Sequence, residues 1–116
     1  MAENYYLDNP DIKFHLLNIG LDETVQLREN NFEEADDYLD APESLDDAYD
    51  SYDKVLEMLG EMCGDLIAPR SEDVDEEGVH LENGDVRYAA ATQENLDDLT
   101  KGQLMGAMLP RQYGGL

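Results

Sequence analysis

Asp73, Asp75 and Glu77 stand at alternate positions before Gly78, which is how a calcium-binding loop begins. Such a loop closes its cage with a bidentate Glu at the twelfth position. Here that position is Gly84, so the closing ligand is missing and no calcium site is expected. Zinc has even less to work with, since the chain has one cysteine, Cys63, and two distant histidines, His15 and His80. No metal-ligating residue is therefore assigned. Cys63 lies on an apolar helical stripe among acids, where a thiol behaves as a small hydrophobe and not as an activated nucleophile. His15, between Phe14 and Leu16, reads as a partly packed helix residue, and His80 as a solvent-facing strand residue. Ser44, Ser51 and Ser71 have no base nearby in sequence. Carboxylates are so abundant that no single pair marks an acid–base couple. Neither phosphate-binding glycine motif occurs. No catalytic residue is assigned to this chain.

The elements that would position any site can be read from periodicity. Residues 8–19 predict a first helix, with Asp8 or Asn9 as cap, Pro10 at its first position and Gly20 as its stop. Ile12, Phe14, Leu16, Leu17 and Ile19 supply its apolar side. A short second helix starts at Asp22, carries Val25 and Leu27, and fades at Asn30-Asn31. Residues 32–41 form an acidic connector with Phe32, Tyr38 and Leu39 as anchors. The strongest signal runs from Pro42 to about Ala68. Leu45, Ala48, Tyr49, Tyr52, Val55, Leu56, Leu59, Met62, Cys63, Leu66 and Ile67 draw one apolar stripe at steps of three and four. Asp46, Asp50, Asp53, Glu57, Glu61 and Asp65 draw an acidic one, expected to be solvated. Gly60 and Gly64 cost helix propensity, and close packing of a neighbouring helix is the expected return. Pro69 ends or kinks the helix.

Residues 79–88 alternate around Asn83-Gly84, two residues that accept positive φ, and predict a β-hairpin. A lone hairpin is marginal, so this one should lie against helices or against something outside the chain. Thr92 is the expected cap of a last helix bearing Leu96 and Leu99 and closed by Gly102. The fold class is mainly α with one small hairpin. Residues 1–41 read as an extension of short helices, and 42–116 as a helical domain.

The chain has 116 residues, 29 acids and 7 bases, for a net charge of −22. Eighteen of the acids fall in residues 33–77, against only Lys54 and Arg70. Nucleic acid is excluded as a partner, because seven cations cannot displace its counterions while the acids repel phosphate. An anionic membrane surface is disfavoured for the same reason. No apolar run reaches the roughly 18 residues of a membrane span. A single cysteine fits a reducing compartment, so the expected location is cytoplasmic.

The last third carries a resemblance. Leu96-x-x-Leu99-x-x-Gly102-x-Leu104-Met105-Gly106-x-x-x-Pro110-x-x-Tyr113-Gly114-Gly115 resembles the end of the N-terminal helical domain of acyl-CoA dehydrogenases. Ile67-Ala68-Pro69-Arg70, Asp75-Glu-Glu-Gly78 and the hairpin through Tyr88 are similar to larger bacterial members acting on fatty acyl-CoA or 3-methylmercaptopropionyl-CoA-like thioesters. Leu7-Asp8 and Phe14-His-Leu16 are similar to their N-terminal stretch. Ala89-Ala90-Ala91 departs from the Pro and Gly those members carry after the hairpin, which leaves the subfamily open.

The resemblance implies a parent oxidoreductase with two further domains, a β-barrel and a C-terminal helical bundle, and with FAD between them. It implies that the parent is a homo-oligomer desaturating acyl-CoA. It carries no FAD or catalytic residue onto this chain, which would be inactive alone and whose partners would be the remaining domains. Tyr113, Gly114 and Gly115 would support the acyl-pocket wall, unless the glycines only make a tight turn against which Tyr113 packs. The apolar ending reads as a chain that continues. The alternative from the residues alone is an acidic helical module that docks a basic protein through residues 46–65.

Overall fold

The computed structural model describes residues 3–116. Helix α1 (Pro10–Asn18) starts with proline at a position where the missing N–H costs nothing, and Gly20 turns the chain away at φ +78°. Helix α2 (Asp22–Arg28) buries Val25 but leaves Leu27 81 % exposed. The chain then reverses through a left-handed run, Asn30, Asn31 and Phe32, at φ 50°, 53° and 64°. Asparagine tolerates that region; phenylalanine there is strained.

Helix α3 (Leu45–Met62) is the spine. It begins three residues after Pro42, because Ser44 is the residue that caps: its hydroxyl accepts from Asp47 N–H at 3.2 Å, while Asp47 accepts from Glu43 N–H at 3.0 Å. Pro69 has no N–H and crowds the preceding turn. The helix widens into one π turn, Cys63–Ile67, and then tightens into a 3-10 turn, Ala68–Arg70. The chain continues directly as α4 (Ser71–Glu77), so the Asp73–Glu77 run is helical rather than a ligand loop. Gly78 (φ +68°) leads into strands β1 (His80–Glu82) and β2 (Asp85–Arg87), paired antiparallel with Leu81 opposite Val86. Asn83 and Gly84, at φ 54° and 85°, make the expected two-residue turn. Helix α5 (Ala90–Lys101) starts before Thr92; Ala89 holds the cap position, and Glu77 Oε2 accepts the Ala90 N–H at 3.0 Å in its place.

Gly60 in α3 and Gly64 in the π turn after it receive no helix. Residues 3–6 lie across them: Tyr5 N–H donates to the Gly60 carbonyl at 3.1 Å, and Asn4 Nδ2 donates to the Glu57 carbonyl at 3.1 Å. A Cβ on Gly64 would stand 1.4 Å from the Glu3 carbonyl oxygen. The notch exists to seat backbone. The acidic stripe stays in water except Asp53, which pairs with Lys13 at 2.9 Å and accepts from the Tyr6 hydroxyl.

The core is thin. Its buried hydrophobic residues are Tyr6, Val25, Ala41, Ala48, Ala89 and Ala91, and the largest fully buried side chain is Glu29. The expected apolar side of α1 buries nothing; Phe14 is 62 % exposed and His15 is exposed beside it. Leu39 is fully exposed and anchors nothing. The radius of gyration is 17.5 Å, against about 13 Å for a compact domain of this length. Accessible surface is 8456 Å², roughly 2,000 Å² beyond that of a compact monomer of equal mass.

Candidate functional site

The site is built where α3 meets the end of the chain. Residues 104–116 are irregular apart from a 3-10 turn, Arg111–Tyr113. Gly114 adopts φ +89°, and a Cβ on Gly115 would stand 1.5 Å from the Leu109 carbonyl oxygen. Both glycines are required by a chain folding back on itself. That reversal leaves the Tyr113 ring 69 % exposed and brings its neighbours Arg111 and Leu116 inward.

Arg111 is the keystone. Its Nη1 lies 2.6 Å from Glu29 Oε2 and donates to Glu34 Oε2 at 2.8 Å. Its side chain is 4 % exposed and that of Glu29 is 1 % exposed. The Tyr52 hydroxyl donates to the other Glu29 oxygen. Burial pushes the Tyr52 phenol well above its ordinary range, and the Glu29 hydrogen bond pushes it further. The left-handed run at residues 30–32 lies between the two glutamates and turns both toward one guanidinium. Beside them Arg28 Nη2 donates to the Ala107 carbonyl at 3.2 Å and to the Leu116 carbonyl. Two arginines and two glutamates thus hold a segment that apolar packing alone does not.

Against this cluster lies an apolar hollow of about 390 Å³. Leu16, Pro42, Val55 and Leu56 line it, with Tyr52, Arg111 and Leu116 on the cluster side and Asp40 and Ser51 as further polar wall groups. A second hollow of about 260 Å³, lined by Leu21, Val25 and Ala107 among others, shares Tyr52 and Leu116 with the first. Those two side chains are therefore common to both walls. The first volume is in the range that takes a small organic ligand, and its walls suit an apolar body. The larger hollows beside α4, about 470 and 530 Å³, are shallow, and the second is edged by Asp73, Glu76, Glu77 and Glu94.

Of the residues singled out from sequence, Gly115 is buried in the turn that forms this wall, whereas Tyr113 and Gly114 lie on its outside. Arg111, Glu29, Glu34 and Arg28 were not singled out. The available signal was scarcity: in a chain with 7 bases among 29 acids, an arginine set inside an apolar ending needs a partner. Among the described residues, no three His, Cys, Asp or Glu side chains converge as a metal cage. No described helix is long and apolar enough to cross a membrane. No protein-family model, curated protein or solved structure matches the chain.

Proposed function

We propose that this chain is the N-terminal helical domain of an FAD-dependent acyl-CoA dehydrogenase, supplying part of the wall around an acyl chain. The carrying observation is that residues 110–116, the stretch that resembles the family motif, also close one side of the apolar hollow at Leu116 and Arg111. Apolar side chains there exclude water from a hydrocarbon tail, and each buried methylene contributes about 0.8 kcal/mol. The Arg111 cluster holds the turn so that the wall keeps its shape. In this reading the remaining domains of the parent supply the flavin site and the catalytic base. The residues here do not fit a flavin: the surface is acidic and would repel the pyrophosphate, and no glycine-rich cradle is present. No chemical step is assigned to this chain.

The test is to express the whole reading frame that contains these residues. A yellow product whose flavin is bleached anaerobically by an acyl-CoA is the expected outcome. Val55→Phe should then shift its preference toward shorter acyl chains by filling the hollow. A colourless product that leaves thioesters untouched overturns the assignment.

A second reading, a module docking a basic protein, is supported by Asp46, Asp50, Glu57, Glu61 and Asp65, which are all exposed and make no salt bridge among the described residues. Charge reversal at Asp50, Glu57 and Glu61 should abolish capture of such a partner. Asp53 is a poor choice for that series, because it is already engaged by Lys13 and Tyr6.

A further inference from the structure

The apolar hollow has a polar rim. Leu16, Pro42, Val55, Leu56 and Leu116 supply its hydrocarbon; Pro42 is buried and the others are half-buried. Asp40 and Ser51 border the same space. Asp40 is exposed, so it stands at the rim, and Ser51 is half-buried. Among the described residues Asp40 enters no ion pair.

The charges around this space set the sign of what it admits. Arg111 also borders it, but that guanidinium is engaged by Glu29 and Glu34. With Asp40, three carboxylates stand there against one cation, and counting Arg28 beside them leaves the sum negative. The connector that carries Asp40 adds to it: Glu33, Glu34, Asp36, Asp37 and Glu43 lie on residues 33–43 with no base among them, in a chain of net charge −22. A carboxylate or phosphate head entering the hollow would be repelled by its wall and by the whole chain, whereas a cationic head would be drawn in. The volume, about 390 Å³, is near the lower end for organic ligands, so the apolar body is small. The hollow edged by Asp73, Glu76, Glu77 and Glu94 has more acid but only Ala90 and Ala91 as hydrocarbon, and it offers such a body nothing to lie against.

We propose that the hollow binds a small primary amine, with its hydrocarbon against Val55 and Leu56 and its ammonium at Asp40. An ammonium carries three donors. The Asp40 carboxylate takes the charge-assisted one, and the Ser51 hydroxyl is a further acceptor in the same wall. The inference rests on the reading above only in taking the hollow as a ligand site. For an acyl-CoA dehydrogenase it specifies an acyl group that ends in an amine.

The probes are hexylamine, hexanol and sodium hexanoate at neutral pH. Each is titrated into the purified chain and followed at the methyl resonances of Leu16, Val55, Leu56 and Leu116. Hexylamine should saturate these shifts and bind about threefold or more tighter than hexanol, with hexanoate weakest. Added salt should erode the difference between amine and alcohol. Asp40→Asn should make the two bind alike while leaving hexanol where it was. Glu72→Gln removes the same charge from α4 and should leave the preference intact. Val55→Phe should weaken amine and alcohol together by filling the hollow. Equal losses of preference in Asp40→Asn and Glu72→Gln would mean diffuse attraction to a charged chain and would overturn the proposal. So would an alcohol or a carboxylate that binds as tightly as the amine, or an amine that shifts none of these methyls. A colourless, inactive whole-frame product with amine binding intact would remove the enzyme reading and keep this inference; a flavoprotein that binds no amine here would do the reverse.

Discussion

The two ends of the molecule are each pinned by an arginine between acids, and they differ in how much water reaches the pin. At one end Arg111 bridges Glu29 and Glu34 with side-chain exposures of 4, 1 and 31 %. At the other, Arg70 bridges Glu94 and Asp98, which are 62 and 18 % exposed, and also donates to Asn95 at 2.9 Å. The first joins segments 77 residues apart, the second segments 28 apart. Ion pairs in water contribute about 0–1 kcal/mol, because solvent serves each charge almost as well as its partner does. A buried pair is different: its formation gains little net, yet removal of one member strands the other without solvation. The lesson is that the same residue types act as an optional brace at the α4–α5 end and as an obligatory pin at the C-terminal turn.

Arg111→Met should have the largest effect, a loss of about 3–5 kcal/mol in urea unfolding, since Glu29 is left buried and unpaired. Against total stabilities of about 5–15 kcal/mol, that brings the turn close to melting. Adding Glu29→Gln should restore a good part of the loss. If the single variant is as stable as the parent, the contrast between the two ends is broken.

Gly64→Ala comes next. Helix propensity favours alanine by about 1 kcal/mol, but the new Cβ meets the Glu3 carbonyl and must displace the arm. A net loss of about 1–3 kcal/mol is expected, with faster hydrogen exchange at Tyr5. Gly84 provides the control at the open end: its Cβ would meet nothing within 4 Å, so any cost there comes from φ alone.

The Tyr6–Asp53 bond sharpens the comparison through pH. Burial, then the Asp53 hydrogen bond, pushes the Tyr6 phenol up to about 12. A raised folded value means that the contribution is fully present below the ordinary value near 10 and is lost as pH climbs toward 12. Asp53 is held below the usual carboxylate range, by the Tyr6 hydroxyl first and by Lys13 second. Its contribution is present above about pH 4 and is lost as pH falls through that lowered value. Tyr6→Phe should cost about 1.5 kcal/mol at neutral pH and flatten the stability profile between about pH 10 and 12. A spectrophotometric titration should show the Tyr6 phenol ionising well above the ordinary value near 10, a step that disappears in Tyr6→Phe.

Arg70→Met should be the mildest, at most about 1 kcal/mol and shrinking further with added salt. Asp98 is held below the usual carboxylate range chiefly by Arg70, so its carboxyl should titrate closer to the ordinary value in this variant.

Much of the fold was legible residue by residue. Pro10 and Gly20 bounded α1, the three-and-four spacing found α3, and Asn83-Gly84 found the hairpin turn. The misses share one cause. Thr92 is a good cap in isolation but loses to a carboxylate from Glu77, thirteen residues before the Ala90 N–H it accepts. Gly60 and Gly64 announced a close approach without saying that residues 3–6 would make it. The α1 side chains had the chemistry of a buried face, yet only Leu16 is half-buried, at the rim of the hollow beside α3.

Helix phase, turn positions and the concentration of acid along α3 and α4 follow from residue order, because those depend on neighbours within a turn or two of the chain. Tertiary structure alone decided that Arg111 would meet Glu29, that Tyr52 would donate to the same carboxylate, and that an apolar hollow would open beside them. With so little hydrocarbon buried, long-range specificity fell to a few scarce cations. Which acid a cation meets, among 29 of them, depends on the path of the backbone between them and on no local pattern.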